Sequence, residues 1–365
     1  MTESAASPRV LPERPVILFA HPVYQLQSRF AARGSGLTAY EVRTLDVLRE
    51  RIAEADVLIV SGLWRNELLA QAPRLGFVQS ISAGTDQYDR AQFAAHGVRL
   101  ASAQGVNERA VAQHAIALML AVARKLPQAR DHQAARFWRG MIAEVAARED
   151  ELTGKTLIIV GLGRIGLRLA RLARAFEMRV IGVKRDPTTL LPGGSGGSGG
   201  GGGSGSSGGS GGDGSGAGVG AAAPDAAGAV DRVVATSQLH EVLAEADYVA
   251  LTCPLTPATV NLIDRAALAA MPRHAVLINV ARGRVVDQTA LIEALEQGRI
   301  GAAAIDCAAE EPLPAASPLW SAPNLLITPH TAGETRRYED SVIELLVENL
   351  ARLRRSDPAL VNRIV

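Results

Sequence analysis

An arginine, a glutamate and a histidine follow three separate apolar runs in the second half of the sequence. Arg282 comes after the run LINV, Glu311 after AAAI and His330 after LLIT. If these runs are parallel strands, their carboxyl ends meet at the edge of the sheet where ligands of open α/β sheets bind. A guanidinium there can bind a substrate carboxylate and polarise a carbonyl, and an imidazole beside a carboxylate can donate a proton. This pattern indicates an acid/base site, although spacing alone leaves a structural role open for each residue.

A glycine-rich turn follows the apolar run TLIIV. Gly161, Gly163 and Gly166 form the pattern GxGxxG, with Arg164 and Ile165 between the second and third glycines, and the helical stretch LRLARLARAF comes next. This context predicts a dinucleotide site, because the glycines allow a tight turn and a close approach of pyrophosphate to a helix N-terminus. The same pattern at 194–199 has no strand before it and no helix after it, so we set it aside.

The residues that end the next apolar run bear on the choice of cofactor. Lys184 and Arg185 follow RVIGV, where a carboxylate would bind the ribose hydroxyls of NAD(H). Two cations instead favour the 2′-phosphate of NADP(H). The alternative is that Asp186 binds the ribose and that the basic pair is only solvated.

Short apolar runs alternate with amphipathic stretches along the chain. Such runs are typical of strands in a parallel sheet covered by helices on both faces. The four runs in the first hundred residues are 15–20, 55–62, 76–84 and 98–103, and a second series begins at Thr156. The sequence therefore predicts an α/β protein with two parallel-sheet units, the second starting near residue 103.

A low-complexity stretch interrupts the second unit. Residues 193–220 contain 18 of the 36 glycines together with seven serines, and AAAPDAAGA follows. Because this composition cannot bury enough apolar surface to offset backbone ordering, we predict a disordered insertion over 192–229. Loop length costs little entropy, so we interpret it as a tolerated spacer.

The overall composition indicates a protein with a small-molecule partner. Among 365 residues, 38 are basic and 37 acidic, so the net charge of +1 favours neither a nucleic acid nor an anionic membrane. Cys253 and Cys307 lie far apart without zinc-type spacing, which predicts core packing, no metal and a reducing, cytoplasmic compartment. The N-terminus lacks a signal-peptide apolar segment, and the longest apolar helix, 110–123, is too short to span a bilayer.

The ordered set of motifs resembles the D-isomer-specific 2-hydroxyacid dehydrogenase family, in particular members similar to glyoxylate/hydroxypyruvate reductases. The matching stretches are SAGTDQYD at 82–89, GVNERAVAQHAIALML at 105–120, LTGKTLIIVGLGRIG at 152–166, CPLTPATVNLI at 253–263, INVARGRVVD at 278–287, IDCAAEEPLP at 305–314 and TPHTAGET at 328–335. The resemblance implies hydride transfer between NAD(P)H and C2 of a small 2-keto or 2-hydroxy acid of the D series.

The resemblance also implies roles for individual residues. Arg282 corresponds to the substrate-binding arginine, Glu311 to the carboxylate that supports the histidine, and His330 to the acid/base. Asp306 matches the residue that holds the nicotinamide carboxamide. Further matches are Cys253, Pro254, Thr259 and Val280 as cofactor-lining positions, and Ala83 and Gly84 in the loop that receives the substrate carboxylate.

The domain organisation and assembly follow from the same resemblance. It implies a flavodoxin-like substrate domain of residues 1–102 and 331–365, into which a Rossmann cofactor domain, 103–330, is inserted. The helix 110–126 and the segment after it resemble the family's dimer interface, so a homodimer is expected. The chain stops without room for a regulatory domain, which argues against an allosteric phosphoglycerate enzyme.

Two alternative functions are compatible with parts of the sequence pattern. A formate dehydrogenase has the same fold but carries Gln at the position of Glu311, so the sequence speaks against it. A dinucleotide-sensing interaction protein, as in the family's corepressor branch, keeps an enzyme-like site. In addition, Ala308 replaces a common aromatic residue near Glu311, which leaves the substrate identity open.

Overall fold

The computed structural model describes residues 6–188, 228–355 and 359–365. The predicted Gly/Ser-rich insertion, 192–229, lies outside these residues except for Gly228 and Ala229. Within the described ranges, no helix combines the length and apolar character needed to cross a membrane.

The described residues form twelve strands and ten α-helices. The strands are β1 Ile17–Ala20, β2 Ala39–Val42, β3 Val57–Val60, β4 Phe77–Ser80, β5 Arg99–Ala101, β6 Thr156–Val160, β7 Arg179–Lys184, β8 Arg232–Ala235, β9 Tyr248–Leu251, β10 Val276–Asn279, β11 Ala302–Ile305 and β12 Leu325–Ile327. The helices are α1 Leu26–Ala31, α2 Leu45–Arg51, α3 Arg90–Ala95, α4 Glu108–Ala123, α5 Leu126–Ala134, α6 Arg164–Ala175, α7 Leu239–Leu243, α8 Arg265–Ala270, α9 Gln288–Glu296 and α10 Tyr338–Arg354. Short 3-10 helices span Ile52–Glu54, Asn66–Gln71, Val145–Ala147, Thr236–Gln238, Gly283–Val285 and Pro318–Ser321.

The chain divides into two compact units. The terminal unit contains the residues up to Asn107 together with Glu334–Val365, and the central unit contains the described residues from Glu108 to Gly333. The predicted boundaries, after residues 102 and 330, each lie a few residues before the boundaries in the structure, which follow Asn107 and Gly333. The difference arises because Ala103 and Val106 still pack in the core of the terminal unit.

The terminal unit is a parallel sheet with the strand order β2-β1-β3-β4-β5, which is the flavodoxin-like order. Every residue of β1, β3 and β4 is buried, which explains why these strands are continuous apolar runs in the sequence. Strand β2, with the sequence AYEV, was not predicted. It lies at the edge of the sheet and is only half-buried, so its sequence lacks an apolar run.

The central unit is a parallel sheet with the order β12-β11-β10-β9-β6-β7-β8. The chain winds outward from β6 to β8 and then returns to β9 on the other side of β6, so the direction of winding reverses between β6 and β9. In open α/β sheets this reversal creates a crevice at the carboxyl ends of the strands, where dinucleotides bind. The predicted fold class, a Rossmann unit inserted into a flavodoxin-like unit, is confirmed.

The helix predicted over 110–126 is two helices. Helix α4 ends at Ala123, and Lys125 has a φ of 49°, in the left-handed region. The next helix, α5, begins at Leu126 with a proline in its first turn. Pro127 favours this break, because it cannot supply the N–H that a continuing helix would need.

Candidate active site

The glycine turn follows β6 directly. Gly161 has a φ of 105°, and a Cβ there would lie 2.6 Å from the backbone nitrogen of Cys253. A side chain at this position would therefore meet both backbone strain and a clash. Only glycine lets the loop after β6 pack against the loop after β9, at the point where the winding of the sheet reverses.

The second and third glycines shape the start of α6. A Cβ at Gly166 would lie 2.2 Å from the carbonyl oxygen of Gly161, so this glycine lets the helix begin against the turn. A Cβ at Gly163 would meet no atom within 4 Å, so Gly163 borders open space. Arg164 and Ile165 begin α6, and the N–H groups of a helix N-terminus attract anions. The turn thus fits the pyrophosphate of a dinucleotide.

A buried carboxylate that the sequence analysis did not single out contacts this helix. Glu108 is only 4% exposed, and its oxygens accept hydrogen bonds from Arg164 Nε at 2.6 Å and Arg168 Nη2 at 2.8 Å. The ion pairs tie the first turn of α4 to the first turns of α6. One signal was available in the sequence, since Glu108 lies two residues before the apolar helical stretch 110–123.

The end of β7 carries the predicted basic pair. Lys184 is half-buried, whereas Arg185 and Asp186 are exposed. The Asp186 carboxylate accepts hydrogen bonds from the backbone N–H of Thr188 at 2.9 Å and from the Thr188 hydroxyl at 2.6 Å. The residue at the strand end is therefore a lysine, and the nearby carboxylate is engaged in its own turn.

The residues predicted to line the cofactor follow β9 and β10. Thr259 Oγ1 donates a 2.7 Å hydrogen bond to the carbonyl oxygen of Pro254, which closes the loop after β9. Val280 is half-buried directly after β10. Cys253 and Cys307 are buried and free, and burial raises the pKa of Cys253 to about 11. Burial likewise raises the pKa of Cys307, which suits core packing for both thiols.

Glu311 and His330 form a hydrogen-bonded pair. His330 Nδ1 lies 2.6 Å from Glu311 Oε2, and the two side chains are 45% and 37% exposed. Glu311 is itself held by the backbone N–H of Ala308, which donates to Oε1 at 2.9 Å. Because Nδ1 is bound to the carboxylate, Nε2 is the ring atom that can exchange a proton with another molecule.

The pair shifts the pKa of both partners. The hydrogen bond to Glu311 raises the pKa of His330, while burial and the charge of Arg282 oppose this rise. Burial by itself would raise the pKa of Glu311, but the bonds to His330 and Ala308 and the charges of His330 and Arg282 hold it below its usual value. The arrangement therefore favours an imidazolium beside a carboxylate.

Asp306 holds the loop that carries His330. Its carboxylate is buried and accepts hydrogen bonds from the Thr328 hydroxyl at 2.6 Å and from the backbone N–H groups of Thr331 at 3.0 Å and Ala332 at 2.9 Å. These bonds lie on both sides of His330, whose φ of 55° is in the left-handed region. A residue other than glycine is strained there, so the bonds to Asp306 stabilise a backbone that presents the imidazole.

His114 extends this network from α4. Its Nε2 lies 3.0 Å from Thr328 Oγ1, the hydroxyl that donates to Asp306. Since that hydroxyl has a single proton, it must accept from His114, and Nε2 of His114 therefore carries a hydrogen. The sequence analysis did not identify this contact, because the two residues are 214 positions apart.

Arg282 lies after β10, where hydrogen bonds from the side chain of Asn279 fix its backbone. Asn279 Nδ2 donates to the carbonyl oxygen of Arg282 at 3.0 Å, and Asn279 Oδ1 accepts from the N–H of Ala281 at 3.0 Å. The guanidinium donates to the carbonyl oxygen of Ala281 at 2.8 Å. Gly283, the next residue, packs against the backbone of Ala308, whose N–H binds Glu311, so Arg282 lies near the Glu311–His330 pair.

The predicted substrate loop belongs to the other unit. Ala83 and Gly84 are half-buried and follow the carboxyl end of β4 in the terminal unit. Ser82, just before them, accepts a 3.0 Å hydrogen bond at its carbonyl oxygen from the N–H of Ala103.

Across the ranges that the structure describes, no group of three acidic, histidine or cysteine side chains is placed to hold a metal ion.

Comparison with known proteins identifies the family. The model of the D-isomer specific 2-hydroxyacid dehydrogenase NAD-binding domain matches residues 116–191 and 214–332. The chain belongs to the D-isomer specific 2-hydroxyacid dehydrogenase family. The resemblance seen in the sequence is thereby confirmed, and the protein is an oxidoreductase of this family.

Individual relatives match over most of this chain. Glyoxylate/hydroxypyruvate reductase B of Serratia proteamaculans is 33% identical over 308 residues, which cover 84% of this chain and 83% of the relative. D-3-phosphoglycerate dehydrogenase of Methanocaldococcus jannaschii is 31% identical over 87% of this chain, which spans about half, 53%, of that relative's length. The structure of NADPH-dependent glyoxylate/hydroxypyruvate reductase from Sinorhizobium meliloti, in complex with NADP and malonate, superposes with a TM-score of 0.74 at 25% identity, over 97% of each chain.

Proposed function

We propose that this protein reduces a small 2-keto acid at C2 with NADPH, giving the D-2-hydroxy acid, and catalyses the reverse oxidation. The observation that carries the proposal is the 2.6 Å contact between His330 and Glu311 in the electrostatic neighbourhood of Arg282. All three residues follow strands of the sheet that carries the glycine turn. His330 is thus a proton donor, Glu311 stabilises its protonated form, and Arg282 is a cation for an anionic substrate.

Each residue of this site has a separate part in the reaction. Arg282 binds the substrate carboxylate and polarises the carbonyl at C2. NADPH, when bound, would supply the hydride for C2. His330 donates a proton from Nε2 to the oxygen that becomes the hydroxyl, so one hydride and one proton convert the ketone to the alcohol. Glu311 stabilises the imidazolium before this transfer.

The chain's own residues suit the dinucleotide at its pyrophosphate and at its nicotinamide end. Gly161, Gly163 and the N-terminus of α6 would hold the pyrophosphate. Asp306, Cys253, Pro254, Thr259 and Val280 would surround the nicotinamide end, as the family resemblance implies. Asp306 already accepts three hydrogen bonds from the His330 loop, so it would link the nicotinamide position to the proton donor.

The preference for NADPH rests on the end of β7. Lys184 and Arg185 would contact the 2′-phosphate, whereas the only nearby carboxylate in the described part of this loop, Asp186, is engaged with Thr188. A carboxylate facing the ribose would repel that phosphate. The related Sinorhizobium reductase is NADPH-dependent, which supports the same choice here.

The substrate would be a small acid such as glyoxylate or hydroxypyruvate. Relatives over most of the chain are named glyoxylate reductases or glyoxylate/hydroxypyruvate reductases. Ala308 lies beside Glu311, and its small side chain leaves this region open to a larger side chain on the substrate.

We also expect a homodimer in the cytoplasm. The segment after α5 exposes large apolar side chains, with Phe137 57%, Trp138 96%, Met141 102% and Val145 70% exposed. Contiguous exposed apolar groups of this kind are typical of interaction surfaces. Free thiols at Cys253 and Cys307 suit a reducing compartment.

A panel of steady-state assays tests the function. We expect turnover of glyoxylate or hydroxypyruvate with NADPH, slower turnover with NADH, and loss of turnover in His330→Asn. Formate with NAD should give none, because Glu311 stands where formate dehydrogenases carry Gln. Tight NADPH binding without turnover of any 2-keto acid would instead support a dinucleotide-sensing interaction protein.

A further inference from the structure

A cavity of about 810 Å³ lies in the terminal unit, at the amino ends of its strands. Pro15, just before β1, and Arg99, the first residue of β5, both line it, as does Leu353 near the end of α10. The loop with Ala83 and Gly84 follows the carboxyl end of β4 instead. The cavity therefore lies at the amino ends of the strands, whereas the predicted substrate loop lies at the carboxyl ends of the same sheet.

The charged side chains that line this cavity are mostly basic. It contains five arginines and one glutamate, namely Arg9, Arg14, Arg99, Arg354, Arg363 and Glu13. Within the part of the chain that the structure describes, no carboxylate forms an ion pair with Arg9, Arg14, Arg99 or Arg354. Elsewhere in the unit such pairs are common: Arg29 lies 3.2 Å from Glu339, and Arg74 lies 2.9 Å from Asp56.

Several of these guanidinium groups are fixed in place. Arg9 Nη1 donates to the carbonyl oxygens of Ala72 at 2.8 Å and Pro73 at 2.9 Å, so Arg9 is part of the wall. Arg99 Nη2 donates to the carbonyl oxygen of Arg9 at 2.7 Å, and Arg14 Nη2 donates to that of Gly36 at 2.8 Å. Their remaining N–H groups are held near the cavity at little further entropy cost.

The charge of this region is unfavourable without a counter-ion. Burial lowers the pKa of the half-buried Arg99, and the like charge of Arg363 lowers it further. Cations that share a partly buried site repel one another, and an anion bound beside them removes that repulsion. The cavity is therefore electrostatically suited to an anionic ligand.

The shape and the apolar walls narrow the ligand class. Four leucines also line the cavity, Leu11, Leu37, Leu350 and Leu353. Its volume falls within the range of small-molecule sites, about 300–1,000 Å³, and far exceeds that of an inorganic ion. The occupant must therefore combine an anionic group with an apolar body. A phosphate dianion matches several guanidinium groups better than a carboxylate monoanion does.

We propose that this cavity binds a small organic phosphate, whose phosphate group contacts Arg14, Arg99 and Arg354 and whose apolar body packs on the leucines. The site is independent of the proposed hydride transfer.

Isothermal titration calorimetry with phenyl phosphate tests the proposal, with saturating NADP⁺ present so that the dinucleotide site is filled. We expect one molecule to bind per chain, more tightly than either benzoate or inorganic phosphate. Benzoate tests the need for the dianion, and inorganic phosphate tests the need for the apolar body. If inorganic phosphate bound as tightly as phenyl phosphate, the proposed contact between an apolar body and the leucines would be wrong. If phenyl phosphate showed no saturable binding, the whole proposal would be wrong.

Variants locate the binding. Removing one guanidinium contact in R99Q or R354Q should weaken phenyl phosphate binding about tenfold or more. R49Q is the matched control, because Arg49 lies outside the cavity and pairs with Glu67, and its affinity should stay unchanged. Arg354 is exposed and makes no hydrogen bond through its side chain to other described residues, so R354Q retains the fold even if R99Q does not. Equal affinities in R354Q and R49Q would refute the proposal.

Discussion

The hydroxyl of Thr328 donates a 2.6 Å hydrogen bond to the buried carboxylate of Asp306 and accepts one from His114. This bond joins the end of β12 to the end of β11, two residues before His330. Substituting Thr328→Val keeps the shape of the side chain but leaves Asp306 and His114 each with one partner fewer. Because a hydrogen bond to a charged group contributes about 1.5–3 kcal/mol, the free energy of unfolding should fall by that amount.

Denaturant unfolding measures this effect, with Thr328→Ser as the control that retains the hydroxyl. A valine variant as stable as the serine variant would show that the bond contributes nothing to the stability of the loop.

The pairing of Glu311 with His330 predicts a pH dependence. Reduction needs protonated His330, so its rate should fall as the pH rises through the raised pKa of that residue. Glu311→Gln removes the negative partner, so the fall should begin at a lower pH. The pH profile of kcat for glyoxylate reduction measures the shift, and Glu310→Gln, an exposed neighbour, is the control. An unchanged or higher apparent pKa in Glu311→Gln would contradict the pairing.

The basic end of β7 predicts a change of cofactor preference. Lys184→Asp should move the ratio of kcat/KM values from NADPH towards NADH, mostly through KM, because it removes a cation and adds repulsion against the 2′-phosphate. A charge-assisted contact contributes about 1.5–3 kcal/mol, which corresponds to tenfold or more in preference. Asp186→Asn should leave the ratio unchanged. If Asp186→Asn altered the ratio and Lys184→Asp did not, Asp186 would be the ribose ligand.

Glu108 predicts a loss of stability at the start of α6. Glu108→Gln removes the buried carboxylate that pairs with both Arg164 and Arg168 and puts a neutral amide in its place. Breaking a buried ion pair costs about 3–5 kcal/mol, and partial exposure of both guanidinium groups reduces the expected loss to roughly 2 kcal/mol. Thermal unfolding of this variant should therefore begin at a lower temperature than that of Glu151→Gln, an exposed carboxylate in the same unit. Equal melting temperatures would mean that the network is not stabilising.

The Gly/Ser-rich stretch predicts tolerance to deletion. Removing residues 193–227 and retaining Gly228 and Ala229 should leave kcat and the melting temperature nearly unchanged, because the deleted sequence offers few apolar side chains. Ala229 must stay, since it is buried in the core of the central unit. A large drop in melting temperature would assign the stretch a structural role.

Much of this architecture is readable from the sequence because buried parallel strands leave continuous apolar runs. The residues proposed for chemistry could be found for the same reason, since Arg282 and His330 closely follow such runs. Edge strand β2 has no such run, and it was missed. Contacts made in three dimensions were also missed: Glu108 and Arg164 are 56 positions apart, and no local pattern connects them.

The core of the terminal unit has a consequence for the order in which the chain is synthesised. Ile17 and Phe19 of β1 pack in one core with Val342 and Leu346 of α10, from the opposite end of the sequence. At about 5–20 residues per second, β1 leaves the ribosome tens of seconds before α10 does. Most strands of the central unit are synthesised during that interval, whereas the part of the terminal sheet that α10 covers stays exposed. Until α10 arrives, this apolar surface is open to intermolecular contacts, which make incompletely folded chains prone to aggregation.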